Sequence, residues 1–245
     1  MKILGIIPSR YASTRFPGKS LADIAGKSMV QRVMEQVLKS TLITDVIVAT
    51  DDQRIYEHVN DFGGKACMTK ANHESGTDRC FEVLQAQDDQ YDYVINIQGD
   101  EPFIQPEQID LLASLLDEEV QLATLIKPIE QYDQIFDPNV VKAVKNTKDE
   151  AIYFSRNSIP FQRNESESDW LKNHTYYKHI GIYAYRTDIL EQITQLPISP
   201  LEKVESLEQL RWIENGYKIK TAITHHESIG IDTPDDLRKA LEHMK

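Results

Sequence analysis

Short apolar runs alternate with amphipathic stretches through the first half of this chain, and only a few residues join one to the next. Ile3–Ile7 is a continuous apolar run that stops at Pro8, the pattern of a strand buried on both faces. Met29, Val30, Val33, Met34, Val37 and Leu38 recur at helical spacing, and Asp45–Thr50 follows as the next strand. A helix over about 52–62 closes at Gly63-Gly64, a short strand covers 65–68, and a helix runs from Ser75 to about 87. The strand Tyr93–Ile97, a helix over about 106–117 and the strand Leu122–Ile126 continue the series. Such alternation predicts an α/β fold, a mostly parallel sheet flanked by helices.

The pattern loosens after about residue 128. Val140–Val144 and Ala151–Ser155 read as strands joined by a turn near 146–149, and His179–Tyr185 alternates as another. Residues 160–176 are polar and irregular and read as a mobile loop, while Leu207–Ile213 reads as helical. No repeat, low-complexity tract or linker divides the 245 residues, so the expectation is one domain, 1–245, with an excursion over roughly 128–215.

Charge narrows the partners. With 27 basic and 39 acidic side chains the net charge is −12, which argues against generic binding to nucleic acid or to an anionic membrane. No apolar run approaches the roughly 20 residues that span a bilayer, and the apolar start is too short for a signal peptide. Cys67 and Cys80 lack metal-ligand spacing and could form one bridge at most, which fits a reduced, cytoplasmic protein. Against this acidic background, residues 1–22 contain Lys2, Arg10, Arg15 and Lys19 and no acid.

Three of those cations lie in the loop after the first strand, Pro8-Ser-Arg-Tyr-Ala-Ser-Thr-Arg-Phe-Pro-Gly-Lys-Ser20. Ligands of open α/β sheets bind beyond the carboxyl ends of strands, and Arg forks with a Lys point charge suit phosphate oxygens. Gly18-Lys19-Ser20 mimics the end of a P-loop, but Ser13 stands where the first glycine belongs and Pro17 lacks the amide donor that a phosphate nest needs. A solvated basic turn is the plainer alternative.

Gln98-Gly-Asp-Glu-Pro102 places a carboxylate at the end of the strand 93–97. Because Pro106 marks the next helix start, Asp100 is free to hold Mg²⁺ against a nucleoside triphosphate. In Gly230-Ile-Asp-Thr-Pro-Asp-Asp236, helix capping accounts for Thr233 and Asp236 and leaves Asp232, one residue outside the cap, as the better candidate for a second metal carboxylate. In His73-Glu-Ser-Gly-Thr-Asp-Arg79, Ser75 or Thr77 can cap, but Arg79 sits in a first turn where the helix dipole disfavours a cation. A ligand contact or an ion pair across the chain would each explain it.

These stretches, with Tyr153-Phe-Ser-Arg156, His179-Ile-Gly-Ile-Tyr-Ala-Tyr185 and Leu207-Glu-Gln-Leu210, occur in order along essentially the whole chain. Together they resemble the 3-deoxy-manno-octulosonate (Kdo) cytidylyltransferase family. The resemblance implies a Rossmann-like nucleotidyltransferase fold and a homodimer, with the excursion serving sugar binding and dimerisation. It implies joining of CTP and Kdo to give CMP-Kdo and pyrophosphate for lipopolysaccharide biosynthesis. Arg10, Arg15 and Lys19 match triphosphate contacts, Ser75 and Arg79 nucleotide contacts, and Asp100 and Asp232 the Mg²⁺ carboxylates, with Lys19, Asp100 and Asp232 as the catalytic set. Gln98, Arg156, His179, Tyr183, Glu208 and Gln209 match the sugar side, although Tyr183 could be core and Glu208 a solvated helix face.

Ser9 stands where the family commonly has alanine, Ser20 where it has proline and Asp78 where it has glutamate, and Ser228-Ile-Gly230 lacks a glycine often found there. None of these removes a matched ligand, but an amino-substituted Kdo stays open as substrate. A sialic acid cytidylyltransferase and a non-catalytic nucleotide sensor are the other readings.

Overall fold

The apolar run at the N-terminus forms strand β1 (Ile3–Pro8), with Ile3, Leu4, Ile6 and Ile7 all buried. A two-residue turn, Ala25-Gly26 with positive φ at both positions, joins β2 (Asp23–Ile24) to β3 (Lys27–Ser28). The sequence reading did not find this hairpin, because alanine gives no signal for the left-handed conformation. Ser28 then caps α1 (Met29–Val37) by accepting from Gln31 N–H, and Met29, Val30, Val33, Met34 and Val37 bury one face. β4 (Asp45–Thr50), α2 (Gln53–Asp61), β5 (Ala66–Met68), α3 (Gly76–Gln85), β6 (Tyr93–Asn96) and α4 (Pro106–Ala113) follow. Helix α4 stops at Ala113, short of the expected 117. Asp117 instead turns the chain by accepting from the N–H groups of Glu119 and Val120.

The computed structural model describes residues 1–227 and 229–243. Contacts divide the chain into two units, residues 1–114 with the segment from 228 onward, and Leu115–Glu227. The first unit carries strands in the order β6-β1-β4-β5, all parallel. The chain steps outward from β1 to β4 to β5 and then returns to the other side of β1 for β6. Strand order therefore reverses between β1 and β6, which opens a crevice at their carboxyl ends. Helices α1 and α3 pack against these strands. The C-terminal helix Pro234–His243 joins the same unit through Ile231 and Ala240, which cluster with Ile24 and Met29.

The second unit contains β7 (Leu122–Pro128), β8 (Lys142–Lys145), β9 (Ala151–Ser155), β10 (Tyr177–Arg186) and β11 (Ile219–Ile223). β7 pairs antiparallel with β10 and parallel with β11, and β8 pairs antiparallel with β9 and β10. Its helices are α5 (Tyr132–Phe136), α6 (Trp170–Asn173), α7 (Thr187–Thr194), α8 (Pro200–Glu205) and α9 (Gln209–Glu214). The stretch 128–215 singled out by the sequence lies inside this unit.

One expectation there is corrected. Residues 160–176 are not a bare loop: they contain α6, and Trp170 and Tyr176 are buried, their rings stacked 5.9 Å apart beside Ile129 and Ile135. Two aromatics separated by polar residues match neither a strand nor a helix period, so sequence patterning passed over them.

Candidate active site

The basic loop leaves β1 at the crevice. Ser9 N–H still bonds Ala49 O at 2.8 Å, after which the Tyr11 carbonyl accepts from Ser13 N–H at 2.9 Å and Gly18 N–H at 2.8 Å, closing the loop on itself. Gly18 takes φ 72° with the Tyr11 ring against it, and the Arg54 guanidinium carbon lies 3.4 Å from the centre of that ring. Lys19–Leu21 is a single 3₁₀ turn, so Gly18-Lys19-Ser20 does not open the α-helix that a P-loop requires.

A cavity of about 490 Å³ lies in this unit. Arg10, Arg15, Lys19, Ser75 and Arg79, the expected nucleotide side, all line it, as do Gln98, Asp100 and Asp232. Residues more than 200 positions apart therefore share one wall. A bond from Ile231 N–H to Asp100 O, 2.8 Å long, joins the C-terminal segment to that wall.

Lys19 is the centre of the wall. Its Nζ donates to Asp100 Oδ2 at 2.6 Å, Asp232 Oδ1 at 3.0 Å and Ile231 O at 3.4 Å. Arg15 Nη2 reaches Asp232 Oδ2 at 3.0 Å. Burial favours a neutral Lys19 amine, but Asp100 and Asp232 outweigh it and hold the ammonium above its ordinary pKa. Two carboxylates that converge on one cation are a donor set suited to Mg²⁺, which takes its remaining ligands from water and substrate phosphates. Among the described residues no group of three or more His, Cys, Asp or Glu side chains forms a self-sufficient metal site. Thr233 and Asp236 cap the last helix reciprocally, at 3.2 and 2.9 Å, and leave the Asp232 carboxylate to face Lys19.

Close packing of the backbone dictates the glycine at 99. A Cβ there would stand 2.8 Å from Ser9 Oγ and closer still to the Pro8 carbonyl oxygen, so the crossing of the two strand ends requires glycine.

Ser75 caps α3 in a full capping box with Asp78. Arg79 is buried; its guanidinium donates to Thr69 Oγ1 and pairs with Asp51 at 3.2 Å. The ion pair across the chain thus resolves the helix-dipole mismatch, and Arg79 forms part of the cavity lining.

The remaining sugar-side residues, Arg156, His179, Tyr183, Glu208 and Gln209, belong to the second unit. In a straight strand His179 and Tyr183 would be about 13 Å apart, yet a bulge between Ile180 and Tyr183 brings their rings to 5.1 Å. Thr124 pins the bulge, its Oγ1 bonding the carbonyls of Ile180 and Ile182 at 3.2 and 2.7 Å and lying 3.1 Å from His179 Nε2. Burial pushes the His179 pKa down to about 4, so the ring is neutral at pH 7. Burial, with Tyr185 and Glu208 nearby, raises the Tyr183 phenol well above its usual range. Tyr183 packs edge-on to Trp212 at 5.1 Å, on the helix that opens with the buried Gln209.

Sequence reasoning did not single out Asp51, Thr124 or Glu205, and it noted Ser9 only as a departure from the family's common alanine. Ser9 Oγ is buried in the cavity wall and has no hydrogen-bond partner among the described residues. Its position directly after the buried strand was the available signal. Ser228 lies outside the described residues.

A cytidylyltransferase family model matches residues 4–219. The 3-deoxy-manno-octulosonate cytidylyltransferase of Cytophaga hutchinsonii is 58% identical over 238 residues, covering 97% of this chain and 95% of the relative. That of Parabacteroides distasonis is 56% identical, covering 100% and 98%. The solved structure of a CMP:2-keto-3-deoxy-manno-octonic acid synthetase complexed with CTP superposes with TM-score 0.93 at 44% identity, covering 100% of this chain and 98% of that one. A cytidylyltransferase from Leptospira borgpetersenii, 16% identical with TM-score 0.62 over 96% of this chain and 83% of that one, shares the nucleotidyltransferase fold. With the first two relatives more than half identical over nearly their whole length, the chain belongs to the 3-deoxy-manno-octulosonate cytidylyltransferase family.

Proposed function

We propose that this protein transfers CMP from CTP to the anomeric hydroxyl of Kdo, releasing pyrophosphate and supplying CMP-Kdo for lipopolysaccharide biosynthesis. The observation that carries the reading is the cavity wall in which Arg10, Arg15 and Lys19 meet Asp100 and Asp232. A triphosphate needs the cations, and a hard metal ion needs the two carboxylates.

Reaction is by in-line displacement. The sugar oxygen forms the new bond to the α-phosphorus as the bond to pyrophosphate breaks. Arg10 and Arg15 bind the phosphates, and Lys19 stabilises charge that grows on the departing oxygens. Ser75 and Arg79 position the nucleoside, Asp51 fixing the direction of the guanidinium. Asp100 and Asp232 would hold Mg²⁺, which when bound neutralises phosphate charge and acidifies an attacking hydroxyl. Gln98, Arg156, His179, Tyr183, Glu208 and Gln209 take the sugar: the guanidinium suits its carboxylate, and the neutral imidazole suits a hydroxyl.

The working form is a homodimer in the cytoplasm. Exposed Phe161, Phe136 and Tyr132 around Trp170 support a subunit contact, and both cysteines are free, as in a reducing compartment. A pyrophosphate-release assay with CTP, Mg²⁺ and either Kdo or sialic acid tests the function. Release with Kdo alone is expected; release with sialic acid alone, or with neither sugar, would overturn it.

A further inference from the structure

We infer that Glu205 is a positioning residue for the sugar, holding Arg156 and the chain leading to Glu208 and Gln209 in one fixed arrangement. The inference rests on the proposed sugar-side role of those three residues. Residues 155–156 and 205–206 are clasped by four hydrogen bonds. The Glu205 carboxylate accepts from Ser155 Oγ at 2.6 Å and from Arg156 N–H at 2.9 Å. In return, Arg156 Nε donates to Glu205 O at 2.7 Å and Nη2 to Ser206 O at 3.3 Å. Ser206 takes φ 52°, a left-handed conformation costly for a residue other than glycine, and it ends α8 two residues before Glu208. The clasp therefore fixes the turn from which Glu208 and Gln209 start.

The pairing has an unusual charge logic. Glu205 and Arg156 lie side by side, yet the carboxylate takes backbone and hydroxyl donors while the guanidinium takes carbonyls, including Pro138 O at 3.0 Å. A direct carboxylate–guanidinium fork would consume the cation. Here one N–H on each terminal nitrogen stays uncommitted, because the five donors meet three carbonyls. The buried Lys142 completes the frame, its Nζ donating to Asp137 O, Val140 O and Arg156 O at 2.6–2.8 Å. Arg156 is thus rigid and still able to pair with a carboxylate ligand.

Steady-state KM values for Kdo and for CTP test this in Glu205→Ala, Glu205→Gln and Arg156→Ala. Glu205→Ala is expected to raise the KM for Kdo about tenfold, the scale of losing hydrogen bonds to a charged group, and to leave the KM for CTP within about twofold. Glu205→Gln should recover most of that loss, because an amide oxygen still accepts from Arg156 N–H. An unchanged KM for Kdo in Glu205→Ala, or an equal rise for both substrates, would overturn the positioning role. If Arg156→Ala leaves the KM for Kdo unchanged, the sugar-side reading itself fails; a rise there without one in Glu205→Ala sinks the clasp alone. Should Glu205→Ala not fold, Ser155→Ala replaces it: a smaller rise confined to Kdo is expected, and none would overturn the inference.

Discussion

Replacing Lys19 by Met keeps the length and the apolar stem of the side chain and removes only the charge. In the wild type, Asp100 Oδ2 and Asp232 Oδ1 both lie within 3.0 Å of Nζ, so they are no more than about 6 Å apart. Two like charges at ~6 Å repel by ~0.7 kcal/mol in bulk water and by ~3 kcal/mol at the effective dielectric of a protein surface. The side chains of Lys19, Asp100 and Asp232 are 15%, 26% and 42% exposed, which sets this wall between those limits. A destabilisation of about 1–3 kcal/mol follows, or roughly 2–12 °C in Tm for a chain of this size. A divalent cation should restore what the ammonium supplied. Thermal unfolding with increasing Mg²⁺ and no CTP is therefore expected to raise the Tm of Lys19→Met more than that of the wild type. A variant as stable as the wild type would refute the electrostatic reasoning. Equal Mg²⁺ responses in both proteins would refute the placing of the metal on Asp100 and Asp232.

Asp100→Asn and Asp232→Asn should each cut turnover at least about a hundredfold while the unfolding transition stays cooperative; near-normal turnover of both at limiting Mg²⁺ would contradict the assignment. Gly99→Ala drives a Cβ against Ser9 Oγ and the Pro8 carbonyl, and about 1–3 kcal/mol of stability should be lost, read by urea unfolding. Ser9→Ala removes a buried hydroxyl from the cavity wall. It should raise the KM for CTP about fivefold, the value of one neutral hydrogen bond, whereas an unchanged KM would mean that the hydroxyl does not meet the nucleotide. His179 gives a pH dependence of definite sign. Its folded pKa is about 4 against 6.5 unfolded, so the unfolded chain takes up the proton first and stability falls as pH drops from about 6.5 towards 4. His179→Gln should flatten that part of the profile.

Sequence alone determined the things set by local physics. Continuous apolar runs and helical spacing located the strands and helices of the first unit apart from the hairpin at Asp23–Ser28, because burial of one face imposes those periods. Capping chemistry, Thr233 with Asp236, could be read directly and left Asp232 unexplained, as the structure then left its carboxylate turned to Lys19. The motif Gln98–Pro102 could likewise be placed at a strand end without knowing what lay opposite it.

Tertiary structure decided what depends on strand order and on side-chain direction. That Asp100 and Asp232 meet the same ammonium follows from the C-terminal segment returning beside Asp100, where Ile231 N–H bonds its carbonyl, and no local pattern encodes that return. The need for glycine at 99 comes likewise from the crossing of the segment after β6 with the end of β1. In the second unit, a bulge that folds His179 onto Tyr183 and a clasp between residues 155–156 and 205–206 break the periodicities from which sequence is read. Local preference is short-ranged and carries to about one turn or one strand. The meeting of distant side chains is fixed only when the whole core packs, and the cavity wall is made of such meetings.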